Sequence, residues 1–345
     1  MSHGIDSPLP PRSPWQRLYG LVLARRRRSW SGRAAHLGRP AISVGNLHWG
    51  GGGKTPLVAA LAEQLRDSGR RVAVLSRGYG RTGSGPCLVS IGDGPLVTAQ
   101  RAGDEPYLLA ERLAGVAIAV CADRVAAART VRARIEIDCF LLDDAFSHVR
   151  VHRDLDLLAF PATDPFAGGR LLPSGRLREP LASTRFADAA VLTGVERADR
   201  GAAEALAAAL EPHGFGGATF ACGLGASLRP PPVEPAAAPG GRRFLLVSGT
   251  ASPQAVRRTA ERLGLDLVEH LRFSDHHPYP QRSLETIRRR AADLDAEVVT
   301  TAKDRVKLAG ALDRPLWEIV VEARPEAELG RWIESRLAAI EGAPG

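Results

Sequence analysis

The stretch AISVGNLHWGGGGKTPLVAALAEQLRDSG, residues 41–69, places a short apolar run, a glycine-rich loop and a strongly helical segment in that order. This is the strand, loop and helix order of a nucleotide phosphate cradle. Glycines let backbone amides turn inward around phosphate oxygens, so Gly50, Gly51, Gly52 and Gly53 form the candidate cradle. Lys54 can reach the β and γ phosphates, and Thr55 can hold Mg²⁺ at the helix start. The strict eight-residue pattern wants glycine at position 48, where this chain has His48, so the match is to the shorter GGxGKT form.

Outward from this loop the chain alternates short apolar runs with helical patterns. RVAVLS, GVAIAV, IDCFLLDD, DLLAF and AAVLTG read as strands apolar on both faces, which suits a parallel sheet covered by helices on either side. An ATP site also needs an acid for Mg²⁺ at the end of a buried strand, and IDCFLLDD ends on Asp143 and Asp144. Residues 229–243, RPPPVEPAAAPGGRR, break all periodicity and read as a linker or hinge. A second α/β unit follows, with strands at FLLVSG, LDLVEHL, AEVVTT and WEIVV. The expected division is therefore an arm at 1–30, a phosphate-binding domain at 31–228, the linker at 229–243 and a smaller α/β domain at 244–345.

The 345 residues are 44% hydrophobic and 24% charged, the composition of a globular protein with room for two cores. Residues 1–39 hold eight arginines against one acid, Asp6, and so carry +7 of the formal +8. The remainder is nearly neutral, which argues against a nucleic-acid groove on the body. Residues 14–30, PWQRLYGLVLARRRRSW, set Trp15, Leu18, Tyr19 and Val22 at helical spacing beside four arginines, the pattern of an amphipathic helix lying on an anionic membrane surface. No run is long and apolar enough for a membrane span or a signal peptide, and Cys87, Cys121, Cys139 and Cys222 are spaced as buried free thiols. Only three of the 46 basic residues are lysines, Lys54, Lys303 and Lys307, so Lys54 is a marked choice of a compact ammonium in an arginine-rich chain.

Transfer of a phosphoryl group to a hydroxyl needs a carboxylate or imidazole near the acceptor. GDEP, residues 103–106, offers Asp104 and Glu105 before a helix starting near Pro106, where the same pair also suits an N-cap. FSDHHPY, residues 273–279, crowds Asp275, His276, His277 and Tyr279 into a loop between strand and helix, as a proton-handling group or metal ligands. LSRGYGR and GRLLPSGRLREPL add arginines suited to an anionic acceptor.

Taken in order, SVGNLHWGGGGKTP, LSRGYGR, AGDEPYLLA, ADRV, LLDDAFSHVRVHRDLDLL, GRLLPSGRLREPL, FSDHHPY and TTAKD resemble the tetraacyldisaccharide 4'-kinase family of lipid A synthesis. The resemblance covers about residues 14–308. It implies ATP-dependent phosphorylation of the 4'-hydroxyl of an acylated disaccharide 1-phosphate, with Mg²⁺, by a P-loop NTPase-like α/β/α domain with a mainly parallel sheet. A smaller C-terminal α/β domain and an N-terminal amphipathic helix complete the expected fold, and the expected place is the cytoplasmic face of the inner membrane, peripheral or monotopic. Asp104 would accept the hydroxyl proton with His276 as partner, while Asp143 and Glu105 would support the metal beside Thr55. Asn46, Tyr79, Arg124, Asp144, His148 and Arg178 would line the phosphate and acceptor region.

The chain departs from the family pattern at Ala145 and Ser147, where Gly and Gln are usual, at Ser274 where Pro is common, and at Ala302 where Glu is common. The rival reading is a membrane-recruited nucleotide switch without a small-molecule acceptor. Trp49 stands where such switches carry a lysine, which weighs against it.

Overall fold

The computed structural model describes residues 14–30, 32–49, 53–195, 200–231 and 241–342. Gly50, Gly51 and Gly52 of the candidate cradle, the first thirteen residues of the arm and residues 232–240 of the linker lie outside the described residues.

The strands are β1 Ala41–Gly45, β2 Val72–Ser76, β3 Cys87–Ser90, β4 Ala117–Val120, β5 Cys139–Asp143, β6 Leu155–Pro161, β7 Ala189–Val195, β8 Ala218–Arg229, β9 Arg243–Ser248, β10 Asp266–Arg272, β11 Glu297–Thr301 and β12 Leu316–Pro325. The α-helices are α1 Pro14–Trp30, α2 Lys54–Asp67, α3 Ala99–Ala102, α4 Asp104–Arg112, α5 Arg124–Arg132, α6 Arg200–Leu210, α7 Pro253–Arg262, α8 Gln281–Asp293, α9 Ala302–Leu308 and α10 Ala327–Glu341. All strands join one sheet in the order β10-β9-β11-β12-β8-β7-β6-β1-β5-β2-β4-β3. Pairing is parallel except for β3 with β4 and β8 with β12.

Side chains alternate across each strand, so the apolar runs feed two layers at once. In β5, Leu141 meets the α2 side together with Leu57, Leu61 and Val74, while Phe140 and Leu142 meet the α5 side together with Ala127 and Val131. The same alternation splits β9, with Leu245 and Val247 on the α8 side and Phe244 and Leu246 against Trp317 and Ala260 of α7. This two-sided burial is why these strands carry no polar face.

Two features were not read from the sequence. The twelve-residue β8 follows β7 in parallel and then runs antiparallel to β12, from Glu318↔Arg229 to Pro325↔Cys222, so the strands on both sides of the linker form one continuous sheet. Helix α10, at the chain's end, packs Leu329, Ile333 and Leu337 into the core beneath α2, and Arg70 pairs with Glu334 and Glu341 there. All four cysteines are buried and free, as expected.

Helix α1 forms as predicted, but its faces divide differently. Trp15, Leu18, Leu21 and Val22 are exposed, whereas Tyr19 packs against the core. Of the four consecutive arginines, Arg27 turns into the body, where it meets the buried Glu179 at 3.0 Å and lies 4.2 Å over the Phe146 ring. Only Arg25, Arg26 and Arg28 face outward. Between α1 and residues 180–186 lies a cavity of about 310 Å³, lined in part by Gln16, Gly20, Leu23, Pro180 and Phe186.

Candidate active site

Strand β1 lies between β5 and β6, and the chain leaves its C-terminal end to enter α2 and then β2 on the far side of β5. A crevice at the carboxyl ends of parallel strands, where the connections diverge, is where such sheets bind ligands. Gly53 takes φ 71°, a left-handed turn that glycine adopts without strain, and delivers Lys54 as the first residue of α2. Lys54 Nζ lies 3.6 Å from Asp144 Oδ1.

The segment before the glycines is braced by the GRLLPSGRLREPL loop. Trp49 N donates to Arg176 O at 2.7 Å, Arg178 N donates to Leu47 O at 2.6 Å, and His48 pairs with Leu177 across them. This bridge explains how a side chain is accepted where the strict motif has glycine: residue 48 lies in a paired, extended strap and adopts no left-handed conformation. Burial, reinforced by Lys54, pushes the His48 ring down to about 4, so it stays neutral and accepts from the Asn46 amide at 3.3 Å.

Beside the loop, β5 ends on the two acids. Asp143 is buried, its Oδ2 accepts from Ser76 Oγ at 3.1 Å, and its Oδ1 has no hydrogen-bond partner. Burial, aided by the neighbouring Glu105 and Asp144 carboxylates, pushes its carboxyl up to about 7. Glu105 in turn accepts from Thr55 Oγ1 at 3.3 Å. An orphaned carboxylate oxygen, a second carboxylate that repels it and a hydroxyl oxygen with a free lone pair fit a divalent cation. Among the described residues no group of three or more His, Cys, Asp or Glu forms a complete metal cage.

Asp144 behaves oppositely to its neighbour. Burial works to raise it, but the Arg178 fork at 2.7 and 3.0 Å and the Lys54 charge hold its carboxyl well below the usual range. It takes φ 50°, in the left-handed region, as the chain leaves β5. Arg178 also reaches Asn46 Oδ1 at 2.5 Å, so Asn46, Asp144 and Arg178 form one hydrogen-bonded unit beside Lys54. Arg124 is buried behind them, with Nη2 donating to the Asp143 carbonyl at 3.3 Å. Burial and the Arg124 charge push His148 down to about 4. Ser147, where the family pattern has Gln, donates to Glu179 at 2.6 Å.

The acceptor side is built on α4. Gly103, at φ 90°, lets this turn approach the SRGYG loop, since a Cβ there would meet Tyr79 O at 3.2 Å. Gly103, not Asp104, occupies the cap position, and the helix starts at Asp104 itself, two residues earlier than expected. The capping role is therefore not the one Asp104 performs. Its Oδ2 meets His276 Nδ1 at 3.1 Å and Lys307 Nζ at 2.6 Å. Burial opposes its charge, but these two donors outweigh burial and hold the carboxyl below its ordinary value. His276 sits at φ 57° in the loop between β10 and α8, with the Tyr79 ring 5.2 Å away. Lys303 Nζ completes the group, 3.0 Å from His276 Nε2 and 2.9 Å from Asp275. Asp104 and His276, from opposite sides of the linker, thus already meet.

The structure brings together Lys54, Thr55, Glu105, Asp143, Asp144, Asn46 and Arg178 as one cluster, and Asp104, His276 and Tyr79 as another, joined through the adjacent residues 104 and 105. It places Arg124 and His148 behind the first cluster. Sequence reading missed Lys303 and Lys307. The scarcity of lysine pointed to them, because all three lysines of the chain lie in these two clusters.

The chain is similar to a known family and to a solved structure. The family described as LpxK, tetraacyldisaccharide-1-P 4'-kinase, matches residues 12–338. A tetraacyldisaccharide 4'-kinase of Geobacter sulfurreducens is 41% identical over 315 residues, 89% of this chain and 87% of that one. A relative of the same name from Anaeromyxobacter is 41% identical over 323 residues, 88% and 84% of the two chains. The crystal structure of LpxK from Aquifex aeolicus in complex with ATP superposes with a TM-score of 0.71 at 29% identity, covering 94% of this chain and 98% of that one.

Proposed function

The chain belongs to the tetraacyldisaccharide-1-P 4'-kinase family and is an ATP-dependent kinase of the 4'-hydroxyl of a tetraacyldisaccharide 1-phosphate; from that premise we propose how its residues divide the work. The Gly50–Gly53 loop and Lys54 hold the ATP phosphates at the carboxyl end of β1. Thr55, Asp143 and Glu105 would hold Mg²⁺, which would supply positive charge to offset that of the ATP phosphates. The Arg178 fork keeps Asp144 in place beside Lys54, so that the ammonium is held at the phosphates before they arrive.

Asp104 acts on the acceptor. Both of its donors, His276 and Lys307, fall on Oδ2, which leaves Oδ1 to accept a hydrogen bond from the 4'-hydroxyl and orient its oxygen towards the γ-phosphorus. In a loose phosphoryl-transfer transition state this positioning matters more than basicity, so a carboxylate held low still serves. The observation that carries the assignment is the 3.1 Å contact between Asp104 and His276 across the chain. Incubation with γ-labelled ATP and the acylated disaccharide is expected to place the label on the 4'-oxygen. Label that reaches only water, or an unrelated alcohol, would overturn the reading.

The protein reaches this lipid through α1, peripherally and from the cytoplasmic face of the inner membrane. Among the described residues no helix is long and apolar enough to cross a membrane. The exposed Trp15, Leu18, Leu21 and Val22, with Arg17, Arg25, Arg26 and Arg28 outward, suit an anionic interface. The cavity between α1 and residues 180–186 offers apolar walls for acyl chain. The division into a phosphate-binding part and a smaller part carrying the His276 loop follows the antiparallel seam of β8 and β12.

Replacing Leu18 and Leu21 together by aspartate is expected to weaken binding to phosphatidylglycerol-containing vesicles about tenfold or more. Co-sedimentation measures it, and undiminished binding would remove α1 from the interface. Point changes are preferable to deleting the arm, because deletion also removes Arg27 from Glu179 and Phe146.

A further inference from the structure

We propose that Arg27 of α1 is a positioning residue of the reaction: it clamps together the two segments that carry Asp144 and Arg178, and so sets the Lys54 ammonium where the ATP phosphates bind. The inference rests on the phosphate-binding role given above for Lys54 and its partners, and it gives α1 a task besides the membrane surface.

Residues 144–147, which leave β5, meet residues 178–180 beside the cradle, and the two segments are cross-linked twice. The first link is the Arg178 fork onto Asp144 at 2.7 and 3.0 Å, with Asp144 Oδ1 3.6 Å from Lys54 Nζ. The second lies one residue further in one segment and two or three in the other. There Ser147 Oγ donates to Glu179 Oε1 at 2.6 Å. Arg27 Nη2 reaches both segments at once, 3.0 Å from Phe146 O and 3.0 and 3.2 Å from the Glu179 oxygens. Both segments are also tied to the start of the cradle. Arg178 N and Glu179 N donate to Leu47 O at 2.6 and 3.2 Å, and a Cβ on Gly45 at the end of β1 would stand 2.5 Å from the Phe146 Cβ.

The Glu179 side chain is only 4% exposed, and Arg27, 11% exposed, supplies the opposing charge. Removing one partner of a buried pair leaves the other charge uncompensated. Movement of Glu179 towards water would displace Arg178 beside it, and with Arg178 the fork that keeps Asp144 at Lys54. Gln16, Tyr19, Leu23 and Arg27 follow one another at spacings of three and four, so the guanidinium continues the face by which α1 seats on the body. Its flat face lies 4.2 Å over the Phe146 ring and 5.0 Å over that of Phe186, a contact for which an ammonium is less suited.

The test measures turnover in mixed micelles of detergent and the acylated disaccharide 1-phosphate, with ATP varied. Arg27→Met is expected to lower kcat/KM for ATP roughly 10- to 100-fold, with KM for ATP raised, because the displaced ammonium no longer meets the phosphates. KM for the lipid and co-sedimentation with phosphatidylglycerol-containing vesicles should stay within about twofold of wild type. A merely structural role would lower kcat through a smaller folded fraction and leave KM for ATP unmoved. Arg27→Lys, which keeps the charge, should return to within about tenfold of wild type. Glu179→Gln is expected to slow the enzyme as well, and the double variant Arg27→Met with Glu179→Gln to lose no more than the slower single variant, since both act through one link. The double variant leaves no charge of the pair uncompensated and decides the question if Arg27→Met fails to fold: it should melt near wild type and remain slow. A double variant as fast as wild type would overturn the proposal. So would a folded Arg27→Met with unchanged KM for ATP, additive losses in the double variant, or a loss confined to vesicle binding. Failure of the wider reading looks different: Lys54→Met would keep its ATP affinity whatever the Arg27 variants show.

Discussion

Asp104→Asn is expected to lower turnover by roughly 10²- to 10⁴-fold while leaving KM for ATP within about twofold of wild type. The amide keeps the volume and still accepts from His276 Nδ1, so the fold around α4 loses little. What it loses is the negative charge facing the acceptor hydroxyl, and with it the interaction that orients the attacking oxygen. Steady-state kinetics at saturating lipid, with ATP varied, separates the two possibilities. An equal loss of turnover and of ATP affinity would mean that Asp104 only supports the first turn of α4 against the neighbouring Glu105 and Thr55.

Asp143→Asn is expected to abolish most activity and at the same time to stabilise the nucleotide-free protein above pH 7. Burial and two neighbouring carboxylates push Asp143 up to about 7 from an ordinary value of 3.8. The folded chain therefore binds this proton more tightly than the unfolded chain does. Stability contributed by the group is complete below about pH 4, falls as pH rises, and is lost above about 7. Asparagine imitates the protonated form and can still accept from Ser76. In calorimetric melts without Mg²⁺ the variant should exceed wild type by about 1–3 kcal/mol at pH 8 and match it near pH 4. Added Mg²⁺ and ATP should then raise the melting temperature of wild type more than that of the variant. A variant less stable than wild type at pH 8 would mean that the carboxylate is needed for packing, not for the cation.

The two predictions share a cause. The site gathers Asp104, Glu105, Asp143 and Asp144 within one crevice, and each is handled differently. Arg178 neutralises Asp144, two donors restrain Asp104, Thr55 meets Glu105, and Asp143 is left raised and half-satisfied. On the proposed function, local stability given up at Asp143 is what the cation and nucleotide would restore on binding.

How much of this was legible before folding depends on the reach of each interaction. The phosphate loop, the apolar strands and the paired acids at 143–144 are signalled by residues within a few positions of one another. The conformations they encode are local ones: a left-handed Gly53, a buried strand, a helix start at Lys54. Arg27 shows the limit. Within PWQRLYGLVLARRRRSW nothing distinguishes it from Arg26 or Arg28, and only the approach of Glu179 and Phe146 turns it inward.

The sequence by itself therefore determined most of the strands and helices and pointed to a cradle at 50–55, because short-range periodicity and steric rules speak through adjacent residues, while the kinase chemistry was implied by the resemblance its ordered motifs carry. Only the tertiary structure decided that β8 and β12 unite the halves in one sheet, and that Lys303 and Lys307 converge on a pair formed by residues 172 positions apart. Contacts between distant segments depend on how whole elements pack. An ammonium held at 3.0 Å from an imidazole nitrogen is a property of that packing, not of any neighbouring residues in the chain.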